Sequence, residues 1–190
     1  MPLNLPNLIT WLRIILIPLI VGVYYLPDHW LPMPDKNVAA TAIFVFAAVT
    51  DWLDGYLARK LNQMSAFGAF LDPVADKLMV VGALIVLLQL DRVESAVALI
   101  IVGREIAISA LREWMAKIGK AKSVAVAYIG KIKTVGQMVA IPLLLYHDQL
   151  WGTVNCQLLG TVLINVAAVL TVISMMYYLR QAFPHASETG

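Results

Sequence analysis

Six long apolar stretches, separated by short polar breaks, make up most of the chain. They cover residues 8–26, 38–58, 71–90, 93–115, 126–146 and 158–179. Each is close to the length of about 20 residues that a helix needs to cross about 30 Å of hydrocarbon. The breaks carry turn-forming or charged residues, such as Asp91-Arg92 between the third and fourth stretches and His147-Asp148 after the fifth. The pattern predicts an all-α integral membrane bundle of six transmembrane helices, built as a single domain over residues 1–190.

Composition agrees with burial in lipid. Hydrophobic residues make up 61% of the chain and charged residues 14%, with a mean hydropathy of +0.79. A water-soluble domain usually carries about 25% charged residues. The net charge of +2 is too small to favour nucleic acid as a partner, and the single cysteine, Cys156, excludes a disulfide scaffold within the chain.

The basic residues predict the orientation of the bundle, because lysine and arginine beside transmembrane spans favour the cytoplasm. Most of them fall on one side of the predicted spans: Arg13, Arg59, Lys60, Arg112, Lys117, Lys120, Lys122, Lys131, Lys133 and Arg180. Only Lys36 and Arg92 fall on the other side. Both termini are therefore expected in the cytoplasm, and aromatic residues near the span ends, among them Tyr177 and Tyr178, are interpreted as interfacial anchors.

Four aspartates lie where hydrocarbon is expected, and an intramembrane carboxylate is a functional candidate by default. Asp51 and Asp54 are three residues apart, and Asp72 and Asp76 are four apart, so each pair shares one helix face. Counted from the outer ends of their antiparallel spans, the four lie about 20–27 Å deep, at about 1.5 Å per residue. The two pairs are therefore predicted to meet at one level near the cytoplasmic side.

Four carboxylates in a low dielectric repel one another, so a divalent cation is the expected neutralising partner. Oxygen ligands favour Mg²⁺ or Mn²⁺. Gly55, Ala58 and Gly68 leave room for a bulky ligand, and Arg59 offers a cationic fork for phosphate oxygens. Together they indicate a metal-bound diphosphate. Two alternatives stay open: the acids form structural ion pairs with Lys77 or Arg104, or the protein is a cation transporter.

These residues follow the spacing D-x2-D-G-x2-A-R-x8-G-x3-D-x3-D from Asp51 to Asp76, which resembles the signature of the CDP-alcohol phosphatidyltransferase family at every fixed position. The resemblance implies a six-helix membrane bundle, usually a homodimer, that moves a phosphatidyl group from a CDP-linked lipid to an alcohol and releases CMP. It also implies roles for the matching residues. Two divalent cations would be held by Asp51, Asp54, Asp72 and Asp76, with Asp76 as the catalytic base, and the CDP-lipid would be bound by Asp54, Gly55, Ala58, Arg59 and Gly68.

A second polar cluster predicts a separate anion site for the acceptor alcohol. Arg104 lies inside the fourth span, and Arg112 follows eight residues later on nearly the same face. In the fifth span Lys133, Thr134 and Gln137 share a face, preceded by Lys131, which could equally contact anionic lipid headgroups. Glu105 is expected to pair with basic neighbours. An acceptor with its own phosphate would need such cations.

Residues 7–13, 104–115 and 130–137 resemble members of this family whose acceptor is sn-glycerol 3-phosphate. The resemblance implies CDP-diacylglycerol and sn-glycerol 3-phosphate as substrates, phosphatidylglycerophosphate as product, and a multi-pass enzyme of the bacterial cytoplasmic (inner) membrane with its active site on the cytoplasmic side. Serine, inositol phosphate or phosphatidylglycerol remain alternative acceptors. Thr10 and Arg13 are interpreted either as neighbours of the headgroup site or as membrane anchors. Gly82 and Gly136 are candidates for close helix approach.

Overall fold

The computed structural model describes residues 5–61, 66–120, 128–150 and 152–186. Within these ranges the chain is mostly helical, as the all-α prediction required. The elements are α1 (Leu5–Val23), α2 (Met33–Leu61), α3 (Ala66–Gln89), α4 (Ser95–Lys117), α5 (Tyr128–Tyr146), β1 (Gln149–Leu150), β2 (Val154–Asn155) and α6 (Cys156–Ala186). The short antiparallel hairpin, which pairs Leu150 with Val154, was not predicted.

The helices differ in length from the apolar stretches that predicted them. α1 ends at Val23 rather than at 26, because the next residues form tight turns in which the Tyr25 N–H bonds to the Gly22 carbonyl at 3.0 Å. α2 and α6 extend to 29 and 31 residues. Their added turns carry polar residues, so hydropathy alone predicted spans that were too short at both ends.

The ends of α3 and α4 share a backbone motif. After α4, Gly119 has φ +73°, its N–H bonds to the Ala116 carbonyl at 3.1 Å, and the Lys120 N–H bonds to the Met115 carbonyl at 2.8 Å. This is the Schellman arrangement, in which a left-handed residue satisfies the last helical carbonyls. Asp91, with φ 54°, takes the same place after α3. Both helices therefore stop sharply.

The helices bury a continuous apolar core that includes Ile20, Phe44, Leu84, Ile101 and Ile141. α1 contacts α2 and α3, α2 contacts α5, and α6 packs on both α4 and α5. α5 and α6 approach closely at Gly160, where an added Cβ would lie 2.8 Å from Leu144 Cγ. The packing leaves space at one end of the bundle, where polar side chains of all six described helices meet.

At the opposite end Arg92 joins several helices. Its Nη1 donates to the carbonyls of Leu144 and Leu145, at 3.0 and 2.7 Å, in the last turn of α5. Its Nη2 donates to Asn37 Oδ1 of α2 at 2.9 Å, and the Tyr24 hydroxyl bonds to the same oxygen at 3.2 Å. Burial lowers the pKa of Arg92 from its usual value. A cation at the carboxyl end of a helix also complements its dipole.

Among the described residues, α6 is the helix that is long and apolar enough to cross a membrane by length and composition, over Cys156–Phe183. Leu8–Val23 and Ile132–Tyr146 are shorter apolar helices. Charged residues interrupt α2, α3 and α4, and some of them, including Asp51, Asp76 and Arg104, line the cavity at the polar end of the bundle.

Candidate active site

The acidic half of the site brings together side chains from α1, α2 and α3. Arg13 Nη1 donates to Asp51 Oδ1 and also to Asp76 Oδ1. Three residues earlier on the same face of α1, Thr10 Oγ1 donates to Asp72 Oδ1 at 2.8 Å. α1 therefore carries the partners of all three of these carboxylates.

The two aspartates on Arg13 lie at a common level. Because their oxygens share one nitrogen, they can be no farther apart than two hydrogen-bond lengths, about 6 Å. The Arg13 side chain is 0% exposed, whereas those of Asp51 and Asp76 are 35% and 48% exposed. The guanidinium thus lies behind the carboxylates, and their remaining surface is open.

The structure describes only some of the residues that were predicted to bind the CDP-lipid. Asp54, Gly55, Ala58 and Arg59 belong to helix α2, but their side chains lie outside the described part of the structure. Gly68 is buried in the first turn of α3. The CDP-lipid contacts of this group stay a prediction.

The basic half of the site centres on Glu105 of α4. Its Oε1 accepts hydrogen bonds from Lys133 Nζ at 2.6 Å and from Arg104 Nη1 at 3.0 Å. Lys133 is 1% exposed and Arg104 is 7% exposed. Glu105 was predicted to pair with basic residues at helical spacing; it does pair with basic residues, but they are the adjacent Arg104 and Lys133 of α5, so the contact joins α4 to α5.

Tyr178 of α6 holds two of the predicted acceptor residues. Its ring centroid lies 5.9 Å from Arg104 Cζ and 5.7 Å from Arg112 Cζ. A cation within about 6 Å of an aromatic ring is attracted by the ring's quadrupole. Tyr178 is 0% exposed, so its interpretation as an interfacial anchor was wrong.

A cavity of about 300 Å³ connects the two halves. Its walls include both Arg13-bound aspartates and four of the predicted acceptor residues, and they are formed by Asp51, Pro73, Asp76, Lys77, Met79, Val80, Arg104, Glu105, Arg112, Thr134, Gln137, Met138 and Tyr178. Lys133 lies beside this wall through its contact with Glu105, and Lys131 has a side chain outside the described residues. Sequence reasoning had treated the two clusters as separate.

Two buried polar atoms at the cavity have no hydrogen-bond partner among the described residues. They are Oε1 of Gln137, a residue that is 3% exposed, and Nε of Arg104. Leaving such an atom unsatisfied costs about 1–3 kcal/mol. These atoms are therefore suited to accept and donate hydrogen bonds to a polar ligand.

Sequence reasoning missed two of these contributors for different reasons. Arg13 was left undecided because it lies 38 residues from Asp51 and 63 from Asp76, and spacing cannot show such contacts. Tyr178 resembled its neighbour Tyr177 in every local respect. The useful signal for Arg13 was a charged residue inside an apolar stretch, which is rare without a partner.

The donor set of the acidic half fits a hard divalent cation. The described donors are carboxylate oxygens, which Mg²⁺ and Mn²⁺ prefer. Asp51 and Asp76 come from different helices and already converge on one positive group. The described residues contain no group of three or more acidic, histidine or cysteine side chains that could hold a metal ion, so the full metal site stays a prediction.

Comparison with known proteins supports the family that the aspartate motif resembles. The family model described as CDP-alcohol phosphatidyltransferase matches residues 3–174. The chain is 50% identical over 184 residues to proteins of Escherichia coli (strain K12) and Shigella flexneri serotype 5b, covering 96% of each chain. It is 48% identical to a protein of Salmonella choleraesuis with the same coverage. All three relatives are named CDP-diacylglycerol–glycerol-3-phosphate 3-phosphatidyltransferase. The chain is therefore an enzyme that belongs to the CDP-alcohol phosphatidyltransferase family.

Proposed function

We propose that the protein transfers the phosphatidyl group of CDP-diacylglycerol to sn-glycerol 3-phosphate, giving phosphatidylglycerophosphate and CMP. The observation that carries the proposal is the cavity itself, whose lining includes both Asp51 and Asp76 of the acidic half and both Arg104 and Arg112 of the basic half. A reaction between a diphosphate-linked lipid and a phosphorylated alcohol needs both kinds of group within one enclosure. The names of the relatives support the choice of substrates.

The basic half suits the acceptor. Arg104 and Arg112, together with Thr134, face the cavity and can bind the phosphate of glycerol 3-phosphate through charge-assisted hydrogen bonds. Gln137 Oε1 can accept a hydrogen bond from an acceptor hydroxyl. Lys133 holds Glu105 in place, and Lys131 is a further candidate for the phosphate. Bound in this way, the acceptor hydroxyl is directed towards the acidic half.

The chemistry is one in-line displacement. The acceptor oxygen attacks the phosphorus of the phosphatidyl group, a new P–O bond forms, and the bond to the CMP oxygen breaks. Asp76 accepts the proton of the attacking hydroxyl as the general base. Its partial exposure to the cavity is compatible with that role. Such a mechanism needs no covalent enzyme intermediate.

Members of this family generally use divalent metal ions. We propose two, Mg²⁺ or Mn²⁺, held by Asp51, Asp54, Asp72 and Asp76. When bound, they supply charge neutralisation for the diphosphate and for the departing CMP. Asp54, Gly55, Ala58, Arg59 and Gly68 would line the CDP-lipid site.

The placement of the enzyme is part of the proposal. Six spans, with both termini in the cytoplasm, put the cavity at the cytoplasmic side of the bacterial inner membrane, where the soluble acceptor is present. The excess of basic residues at that side supports this orientation. The family resemblance supports a homodimer.

The direct test is CMP release by the purified protein in detergent. We expect CMP only when CDP-diacylglycerol, glycerol 3-phosphate and Mg²⁺ or Mn²⁺ are all present. Equal consumption of the CDP-lipid with serine, but none with glycerol 3-phosphate, would show that the acceptor is wrong. Metal flux in proteoliposomes without CMP formation would favour a transporter.

Asp76→Asn is expected to lower kcat about 100-fold or more, because the general base is lost. The matched control is Asp35→Asn, which removes an exposed carboxylate in the first turn of α2 and is expected to leave turnover unchanged. Near-normal turnover by Asp76→Asn would contradict the assignment of the base.

A further inference from the structure

Arg13 is fully buried and pairs with carboxylates that the proposed function assigns to metal ions. Its guanidinium contacts both Asp51 and Asp76 through one nitrogen. Asp72 is held separately by Thr10, one turn earlier on α1. These three carboxylates on α2 and α3 are thus tied to α1.

The arrangement of charge explains why a buried arginine is tolerated here. An unpaired arginine or aspartate inside a membrane protein is costly, and pairing them offsets part of that penalty. Arginine keeps its charge at any physiological pH and offers several N–H donors in a fixed plane. It is therefore suited to contact two carboxylates at once and to offset half of their combined charge.

The carboxylate oxygens of Asp51 and Asp76 can also be reached from the cavity. Asp51 and Asp76 keep 35% and 48% of their side-chain surface exposed, and both line the cavity. A divalent cation that enters the cavity meets carboxylates already engaged by a positive group. It must therefore weaken those contacts and remain close to the positive charge of Arg13.

We propose that Arg13 is an internal counterion of the metal site: it offsets part of the negative charge of Asp51 and Asp76, and it competes with a divalent cation for their oxygens. This rests on the proposed function, because that proposal makes the two aspartates metal ligands. Arg13 is thus a positioning residue that stabilises the metal-free protein and lowers its affinity for metal.

The test measures Mn²⁺ binding to the purified protein without substrates, from the electron paramagnetic resonance signal of free Mn²⁺. Thermal unfolding is followed with and without the metal. The variants are Arg13→Gln, which removes the charge, and Arg13→Lys, which keeps it. Arg180→Gln, an exposed arginine of α6, is the matched control for loss of one positive charge. Any variant that does not survive metal-free purification is purified with Mn²⁺, and its affinity is measured by competition with a chelator.

We expect Arg13→Gln to bind Mn²⁺ about tenfold more tightly or better, because a like charge that contacts two of the proposed metal ligands is removed. Its Tm without metal should fall, and the rise of Tm on adding Mn²⁺ should exceed that of the wild type. Arg13→Lys and Arg180→Gln should bind Mn²⁺ within about threefold of the wild type, since both leave a positive charge at position 13.

Unchanged or weaker Mn²⁺ binding by Arg13→Gln would contradict the proposal that Arg13 competes with the metal ion. Asp51→Asn separates this failure from failure of the metal site. If the wild type binds Mn²⁺ and Asp51→Asn does not, the site stands and only the role of Arg13 is wrong. If neither the wild type nor any variant binds Mn²⁺, the metal site and the counterion role both fail.

Discussion

Tyr178 shows how the aromatic ring of one residue can position the charged side chains of a site. Its ring lies within 6 Å of the guanidinium carbons of Arg104 and Arg112, which are two turns apart on α4. Both arginines line the cavity. Helical spacing puts the two arginines on nearly the same face of α4, and the ring attracts both guanidinium groups to one place, which suits the binding of one phosphate.

Replacing Tyr178 by leucine is expected to raise KM for glycerol 3-phosphate about 5- to 30-fold, because each cation–π contact contributes about 0.5–1 kcal/mol or more. The KM for CDP-diacylglycerol should change less than twofold. Steady-state kinetics with each substrate varied in turn give both values. Tyr177→Leu, at the exposed neighbouring position, is the control. Equal increases in both KM values would contradict a role specific to the acceptor.

His147 follows α5 and is partly buried, with φ 62°. Burial, together with the positive charge of Arg92, lowers the pKa of His147 from 6.5. The unfolded chain therefore binds a proton more readily than the folded protein, and we expect stability to decrease as the pH falls below about 6.5. Thermal unfolding at about pH 7.5 and about pH 5.5 measures the difference.

His147→Gln should reduce this pH-dependent loss of stability, whereas His29→Gln, at an exposed position, should retain it. If the loss is the same in both variants, His147 is not its source.

At the scale of the elements, close approach of α5 and α6 depends on Gly160. An added Cβ would lie 2.8 Å from Leu144 Cγ and 3.2 Å from the Leu144 backbone nitrogen. Since the backbone of a helix cannot move aside locally, Gly160→Ala is expected to lower stability by about 1–3 kcal/mol. Loss of secondary structure on heating, in detergent, measures the effect.

Gly103→Ala is the matched control, because nothing lies within 4 Å of a Cβ added there. It should be neutral or slightly stabilising, since alanine has the higher helix propensity. A Tm for Gly160→Ala equal to that of Gly103→Ala would show that the two helices can separate without cost.

The helices and the paired spacing of acids could be predicted because both depend on local periodicity. The sites of close helix contact could not. Gly82 and Gly136 were both candidates, yet an added Cβ meets Ile17 Cγ2 at 3.1 Å at Gly82 and meets nothing within 4 Å at Gly136. The two glycines face different neighbours, which only the assembled bundle reveals. The contacts of Arg13 were missed for the same reason.

At the scale of the whole molecule, the two ends of the bundle have different polar networks. Tyr24, Asn37 and Arg92 tie helices together at one end, and the cavity opens at the other. The proposed orientation puts the Arg92 end outside and the cavity in the cytoplasm. Asp28 and Lys117 lie towards opposite ends, in exposed positions.

Cysteine labelling tests this orientation. In a Cys156→Ala background, which lacks cysteine, Asp28→Cys and Lys117→Cys are introduced one at a time. A membrane-impermeant maleimide should label position 28 in intact bacterial cells, because outer loops are reached without crossing the inner membrane. Position 117 should be labelled only after the cells are lysed. The reverse pattern would invert the proposed topology.

The pairing of charges inside both halves of the cavity has a consequence for the insertion of the newly made chain into the membrane. Arg13 pairs with aspartates in one half, and Glu105 pairs with basic groups in the other. A newly made chain can therefore leave the insertion machinery and enter the bilayer with these charged groups paired to one another, before it meets an ion or a substrate. Helix α1 precedes α2 and α3 in the chain, and Arg13 of α1 finds its aspartate partners only when those two helices have been made. These three helices are therefore expected to be released into the bilayer as a group.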